Sequence, residues 1–236
     1  MPSMPKTVTT HIPRHVGFIM DGNRRWARAL GKLPMRGHEA GEDALYTVLN
    51  QCFDQGVEYV SVYAFSTENW SRGLDEIKFL MALVPKALKK YLKEFHAKNI
   101  RIVVLGSRDK LPSKVVQAID EAELVTKDNT HGTLAICFNY GGMAELADAI
   151  RAVVASGTDV GTLQGDDIQN YLYHPEIPPC DLVVRSSGEQ RLSGFMLARS
   201  EYAEFIFEPK MWPDVTAADV DLYIAEYASR QRRLGA

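Results

Sequence analysis

Two kinds of hydrophobic pattern alternate along the chain. Short apolar runs at residues 16–20, 59–65, 100–105 and 134–138 are bounded by polar or turn residues, which predicts buried strands. Residues 181–184 and 204–207 predict two shorter ones. Between these runs, apolar residues recur every three or four positions, the spacing of a helix with one buried face. Helices are predicted over 24–30, 37–55, 75–98, 113–126, 143–155 and 217–230, with a short one near 166–173. The longest, 75–98, carries Ile77, Leu80, Met81, Val84, Leu88, Leu92 and Phe95 on one face. Pro85 lies inside it, where a missing N–H and a clash with the preceding turn predict a kink.

Strands alternating with helices predict an α/β fold: a mostly parallel central sheet of about six strands with helices on both faces. Such a sheet binds ligands beyond the carboxyl ends of its strands. Polar, turn-forming sequence follows four of the predicted strands. The segments are Asp21-Gly22-Asn23-Arg24-Arg25, residues 66–72, Asn139-Tyr140-Gly141-Gly142 and residues 185–191, and three of them carry arginine.

In the first segment a glycine turn feeds a helix, which leaves backbone N–H groups pointing outward as an anion site. Arg25 adds a forked donor for phosphate oxygens. Asp21 would repel a bare phosphate. Mg²⁺ between them resolves the conflict, because this ion takes one or two carboxylates plus phosphate oxygens and water. A plain strand-to-helix turn with a capping Asp accounts for the same residues. Neither P-loop nor dinucleotide-loop spacing is present. Arg185 and Arg191, with Ser193 just beyond, form a candidate second diphosphate cradle, or else a solvated basic loop. Two anion sites at one sheet edge suggest a reaction between two phosphorylated molecules.

The formal charge of −3 argues against nucleic acid as a partner. Cys52, Cys137 and Cys180 lack metal or redox spacing and are expected to be buried and reduced. No apolar run is long enough for a membrane span, and the first ten residues lack the apolar centre of a signal peptide. A cytoplasmic protein is expected, with at most transient contact with a membrane surface.

The run from His15 through Asp21-Gly22-Asn23-Arg24-Arg25-Trp26 to Ala27 resembles the opening signature of undecaprenyl diphosphate synthases and their cis-prenyltransferase relatives. The resemblance continues in order through Gly37-His38-x-x-Gly41, residues 63–70 with Arg72, and Asn139-Tyr140-Gly141-Gly142. It then runs through residues 181–191, Tyr202-Ala203-Glu204, Trp212-Pro213-Asp214 and Arg232-Arg233. It implies the cis-prenyltransferase fold, with a disordered start over 1–13 and a single catalytic domain over 14–236. It also implies condensation of isopentenyl diphosphate onto an allylic diphosphate such as farnesyl diphosphate. The product would be a polyprenyl diphosphate such as undecaprenyl diphosphate, a lipid carrier for cell-wall assembly.

By the same resemblance, Asp21 and Glu204 would hold Mg²⁺, and Asp21, Asn69 and Arg72 would be catalytic. Gly22, Asn23, Arg24, Arg25, Trp26 and His38 would bind the allylic diphosphate. Arg185, Arg191 and Ser193 would bind isopentenyl diphosphate. Ala64, Leu80, Met81, Val84 and Phe138 would line a product tunnel. The family forms homodimers, and Arg232-Arg233-Leu234-Gly235 corresponds to a segment that reaches the partner's site. This chain departs from the family pattern at Pro34 and Met143, where relatives usually carry arginine. It departs again at Ala198 and Arg199, where a large aromatic is lost and a charge gained, and at Glu201. A non-catalytic family subunit and an irregular condensation of short allylic units are the competing readings.

Overall fold

The first strand, β1 (His15–Ile19), is buried along its whole length, as an apolar run covered on both faces requires. The computed structural model describes residues 11–230. Most of the expected disordered start, and the segment Arg232-Arg233-Leu234-Gly235, lie outside the described residues.

After β1 come α1 (Asn23–Ala29), α2 (Pro34–Asp54), β2 (Tyr59–Ser66), α3 (Leu74–Ala97), β3 (Ile100–Leu105) and α4 (Ser113–Thr126). Next are β4 (Gly132–Tyr140), α5 (Gly142–Ser156), β5 (Leu182–Arg185), β6 (Glu204–Phe207) and α6 (Ala217–Ser229). The six strands form one sheet in the order β3-β4-β2-β1-β5-β6, and every neighbouring pair is parallel. The chain leaves β1 toward β2 on one side and returns to β5 on the other. This reversal opens a crevice at the carboxyl end of β1.

Strand residues alternate between two apolar layers, as the two-residue period of a strand demands. Val16, Phe18, Ile102, Val104, Leu134, Phe138 and Val184 pack with α2, α3, α4 and α6. Ile19, Val103, Leu105, Ala135, Cys137 and Val183 pack instead with Ile177, Phe195 and Met196 from the irregular segment around β5. The three cysteines are buried and free.

The structure shifts several expected boundaries. Helix α2 begins at Pro34 rather than at residue 37, because proline's fixed φ suits the first helical position. Helix α3 continues through Pro85 without ending there. Strand β4 runs two residues past Phe138, so Asn139 and Tyr140 belong to the strand and not to a loop. Three short 3-10 turns, Thr67–Ser71, Leu197–Arg199 and Trp212–Asp214, occupy segments without apolar periodicity. The charge gained at Arg199 is fully buried, paired with Glu145 at 2.7 Å, and both side chains are 1% exposed. Its guanidinium also donates to the Tyr173 and His174 carbonyls, so burial leaves the charge paired rather than stranded.

Candidate active site

Asp21 stands just past the carboxyl end of β1. Its backbone is pinned by the Ser186 hydroxyl, which accepts from the Asp21 N–H at 2.9 Å and donates to the Asp21 carbonyl at 2.8 Å. Trp212 adds a backbone N–H to the same carbonyl at 2.9 Å. The carboxylate accepts from the Gly22 N–H at 2.7 Å through Oδ1 and from the Arg185 guanidinium at 2.9 Å through Oδ2. Burial raises the pKa of this carboxyl. Hydrogen bonds from Arg185 and Gly22, and the charges of Arg185 and Arg25, more than offset it, so Asp21 is held below the usual range. Gly22 turns the chain here with φ of 99°, and an added Cβ would press on Met211 and Ser187 at 3.0 Å.

Helix α1 then presents Arg24 and Arg28, one turn apart, beside Arg25. Helix α2 crosses α1 closely enough that a Cβ on Gly37 would lie 1.9 Å from the Asn23 carbonyl oxygen. That approach explains the small residue in Gly37-His38 and sets His38 over the same space. The Asn23 amide donates back to the Met20 carbonyl at 3.0 Å, while its buried Oδ1 has no partner. From the start of α3, Glu76 gathers two arginines and a histidine: Arg72 at 2.8 Å, His38 at 3.4 Å and Arg24 at 3.6 Å. Burial pushes the His38 imidazole below its usual pKa despite Glu76. Its buried Nε2 lacks a well-aligned hydrogen bond and sits at the cavity wall.

Behind these groups a cavity of about 580 Å³ runs between the sheet and helices α2 and α3. Asp21, Gly22, Asn23, Arg24, Arg25, Arg28, His38, Asn69 and Arg72 line its mouth. Its interior includes Leu45, Ala64, Leu80, Val84, Leu88, Ile136 and Phe138. Ala64 lies where the β2–β4 register shifts, so a local irregularity turns this small residue toward the cavity. Met81 is buried in the adjacent core and is not part of the lining.

Sequence reasoning placed Arg185 at an anion site separate from Asp21. The sheet order makes β1 and β5 direct neighbours, with Ile19 opposite Arg185, so the two sites share a wall. Arg185, with its side chain 5% exposed, reaches Asp21 with one nitrogen and the Ser193 hydroxyl at 2.8 Å with another. Arg191 is exposed and pairs with Glu189 at 2.5 Å. Glu189 also meets Arg25 at 3.3 Å and so stands between the two cradles. The connecting loop takes positive φ at Ser187, Ser193 and Met196, which only its dense hydrogen bonding can hold.

Several expected site residues lie elsewhere. The Trp26 indole donates to Asp214 at 2.7 Å and does not line the cavity. Asn139 braces a corner: it accepts from Trp70 at 2.7 Å and donates to the Ser107 and Asp109 carbonyls. Glu204 opens β6 opposite Leu182, which itself lies opposite Val16. That register puts it at the amino edge of the sheet, about five residues or roughly 16 Å from Asp21 along the strand direction. There it pairs with Arg230 at 2.8 Å. One chain therefore does not bring Glu204 to Asp21. Conversely, Arg28, Glu76 and Glu189 belong to the site and were not singled out from sequence. Arg28 was legible as the residue one helical turn after Arg24. Glu76 read only as a first-turn acid of a helix.

An arginine-lined mouth opening into a deep apolar cavity defines a site for a molecule with an anionic head and a long hydrocarbon tail. The family described as putative undecaprenyl diphosphate synthase matches residues 19–235, and the chain belongs to this prenyltransferase family. A relative from Thermobifida fusca, named trans,polycis-polyprenyl diphosphate synthase ((2Z,6E)-farnesyl diphosphate specific), is 44% identical over 99% of this chain and 83% of its own length. An isoprenyl transferase from Neisseria gonorrhoeae is 40% identical over 100% of this chain and 95% of its own. Among solved structures, lavandulyl diphosphate synthase from Lavandula x intermedia, in complex with dimethylallyl diphosphate, superposes with a TM-score of 0.90 at 29% identity. It covers 95% of this chain and 99% of its own. A probable undecaprenyl diphosphate synthase from Campylobacter jejuni gives 0.82 at 28% identity over the same shares.

Proposed function

We propose that the protein condenses isopentenyl diphosphate onto an allylic diphosphate primer, with farnesyl diphosphate the first candidate, to make a polyprenyl diphosphate. The observation that carries this reading is the union of an arginine-rich mouth, one ionised carboxylate and a deep apolar cavity. Arg24, Arg25, Arg28, Arg72 and His38 would hold the allylic diphosphate. Breaking the allylic C–O bond leaves the electron pair on that group, and the four arginines stabilise the charge more in the transition state than before it. The apolar walls keep water from the allylic cation. Asn69 accepts the Ser66 N–H through Oδ1, and its amide nitrogen makes no protein hydrogen bond among the described residues, so it can orient the reacting groups. Arg185, Arg191 and Ser193 would hold isopentenyl diphosphate beside Asp21.

Asp21 fits Mg²⁺ as a single, ionised, partly exposed carboxylate, and no group of three or more His, Cys, Asp or Glu among the described residues makes a fuller cage. Diphosphate and water would supply the remaining ligands. When bound, the ion would neutralise charge on the departing diphosphate. A role for Glu204 at this centre requires a second copy of the chain, in keeping with a homodimer. The proposed setting is cytoplasmic, with transient contact at a membrane surface for product release; no helix among the described residues is long and apolar enough to cross a membrane.

The test is incubation with Mg²⁺, farnesyl diphosphate and radiolabelled isopentenyl diphosphate. Label in longer prenyl diphosphates with new Z double bonds is expected. Consumption of a short allylic diphosphate alone would favour the irregular condensation instead, a reading supported by the likeness to lavandulyl diphosphate synthase.

A further inference from the structure

We infer that Tyr46 and Tyr91 form the stop that sets product length. The inference rests on the function proposed above. Three elements carry the cavity inward from its mouth. On the sheet, Phe138, Ile136 and Leu134 descend about 13 Å toward the amino edge. On α3, Leu80, Val84, Leu88, Tyr91 and Phe95 descend roughly 22 Å. On α2, His38, Leu45, Tyr46 and Leu49 follow the same course.

Aromatic rings close the deep end. Tyr46 and Tyr91 stack with centroids 4.8 Å apart and planes 16° from parallel. Phe95 leans on both from 6.3 Å. A growing chain that enters at Asp21 meets this wall after passing Ala64 and Phe138.

A polar seam beside the rings holds them together. Glu42, Tyr46 and Asn50 lie one turn apart on α2. Lys90 pairs with Glu42 at 3.0 Å, the Tyr46 hydroxyl donates to Glu94, and Lys98 donates to Asn50 at 2.5 Å. The Lys90 ammonium also sits 4.5 Å above the Tyr91 ring. The lysines and Glu94 are more than two-fifths exposed, so each of these links is weak and salt-screened. The rings, not the ion pairs, present the steric barrier.

Further growth must displace the rings, because a close-packed interior has no spare room. A phenol ring is larger than one added unit, so removing one should admit at least one more.

The test compares wild type, Tyr46→Ala, Tyr91→Ala and Tyr46→Phe with labelled isopentenyl diphosphate and an allylic primer. Product ladders, initial rates and melting temperatures are read together. Both alanine variants should lengthen the ladder by at least one unit while initial incorporation stays within roughly tenfold of wild type. Tyr46→Phe, which keeps the ring and loses only the hydroxyl, should leave the ladder unchanged. If the alanine variants do not fold, Tyr91→Leu carries the same expectation, since it keeps apolar bulk but shortens the plug. A folded Tyr91→Ala or Tyr91→Leu with the wild-type ladder overturns the stop while leaving the proposed reaction intact. A lengthened ladder from Tyr46→Phe overturns the steric account in favour of the seam. No incorporation by wild type overturns the reaction on which the stop depends.

Discussion

Arg185 donates to the Asp21 carboxylate at 2.9 Å across the β1–β5 boundary and, from the same guanidinium, to the Ser193 hydroxyl at 2.8 Å. A single buried side chain thus joins the two places where diphosphates are proposed to bind. Arg185→Ala should lower kcat/KM by at least about 10²-fold and disturb the KM of both substrates. Lysine should not rescue, because a point charge cannot reproduce the fork. Arg191, which is exposed and paired with Glu189, should affect isopentenyl diphosphate alone when replaced by alanine. Steady-state kinetics with each substrate varied in turn checks this. A change confined to one substrate in Arg185→Ala would contradict the bridge.

Glu76 organises the opposite side of the mouth through Arg72, His38 and Arg24. Glu76→Gln keeps the size and removes the charge that holds these side chains in place. The KM for the allylic primer should rise about tenfold or more, the worth of one charge-assisted hydrogen bond. The KM for isopentenyl diphosphate should move less. Equal changes in both would assign Glu76 to general folding instead.

His15 predicts a pH dependence of stability. It is wholly buried, with Nδ1 facing the Pro178 carbonyl and Nε2 facing the Ser61 hydroxyl, each at 2.7 Å. Burial lowers its pKa to about 4, despite the Pro178 contact and the charge of Asp181. Below about 6.5 the unfolded chain takes up this proton while the folded chain does not. Stability should therefore be full near neutrality and fall between about 6.5 and 4, by on the order of 3 kcal/mol. Melting curves of wild type and His15→Asn should converge as the pH drops through this window. Parallel curves would show that His15 does not carry the effect.

Much of this architecture was legible in the sequence. The short apolar stretches inside β1 and β3 predict strands covered on both faces, and parallel strands bring their carboxyl ends to one edge. Asp21, Arg24, Arg25 and Arg72 were found for that reason. Within one chain Glu204 lies away from Asp21 because it opens its strand instead of following it, and the opening residue of a parallel strand lies at the other edge. Trp26 follows Arg24 and Arg25 in the sequence, but the helical turn points it toward Asp214. Glu76 stayed hidden because two of its three partners, Arg24 and His38, come from α1 and α2, which only the fold brings to the start of α3. The stacked Tyr46 and Tyr91 were invisible for the same reason.

Asp21→Asn, assayed beside wild type for incorporation of labelled isopentenyl diphosphate, tests the central claim most directly. Asparagine keeps the size, but its one carbonyl oxygen can accept from Gly22 or from Arg185 and not from both, so the fold should be kept with a modest fall in melting temperature. Wild type should build longer prenyl diphosphates, and the variant should lose several orders of magnitude in turnover, as the proposed metal-binding role of this charge at the leaving group requires. A folded variant with near-normal turnover would contradict the account.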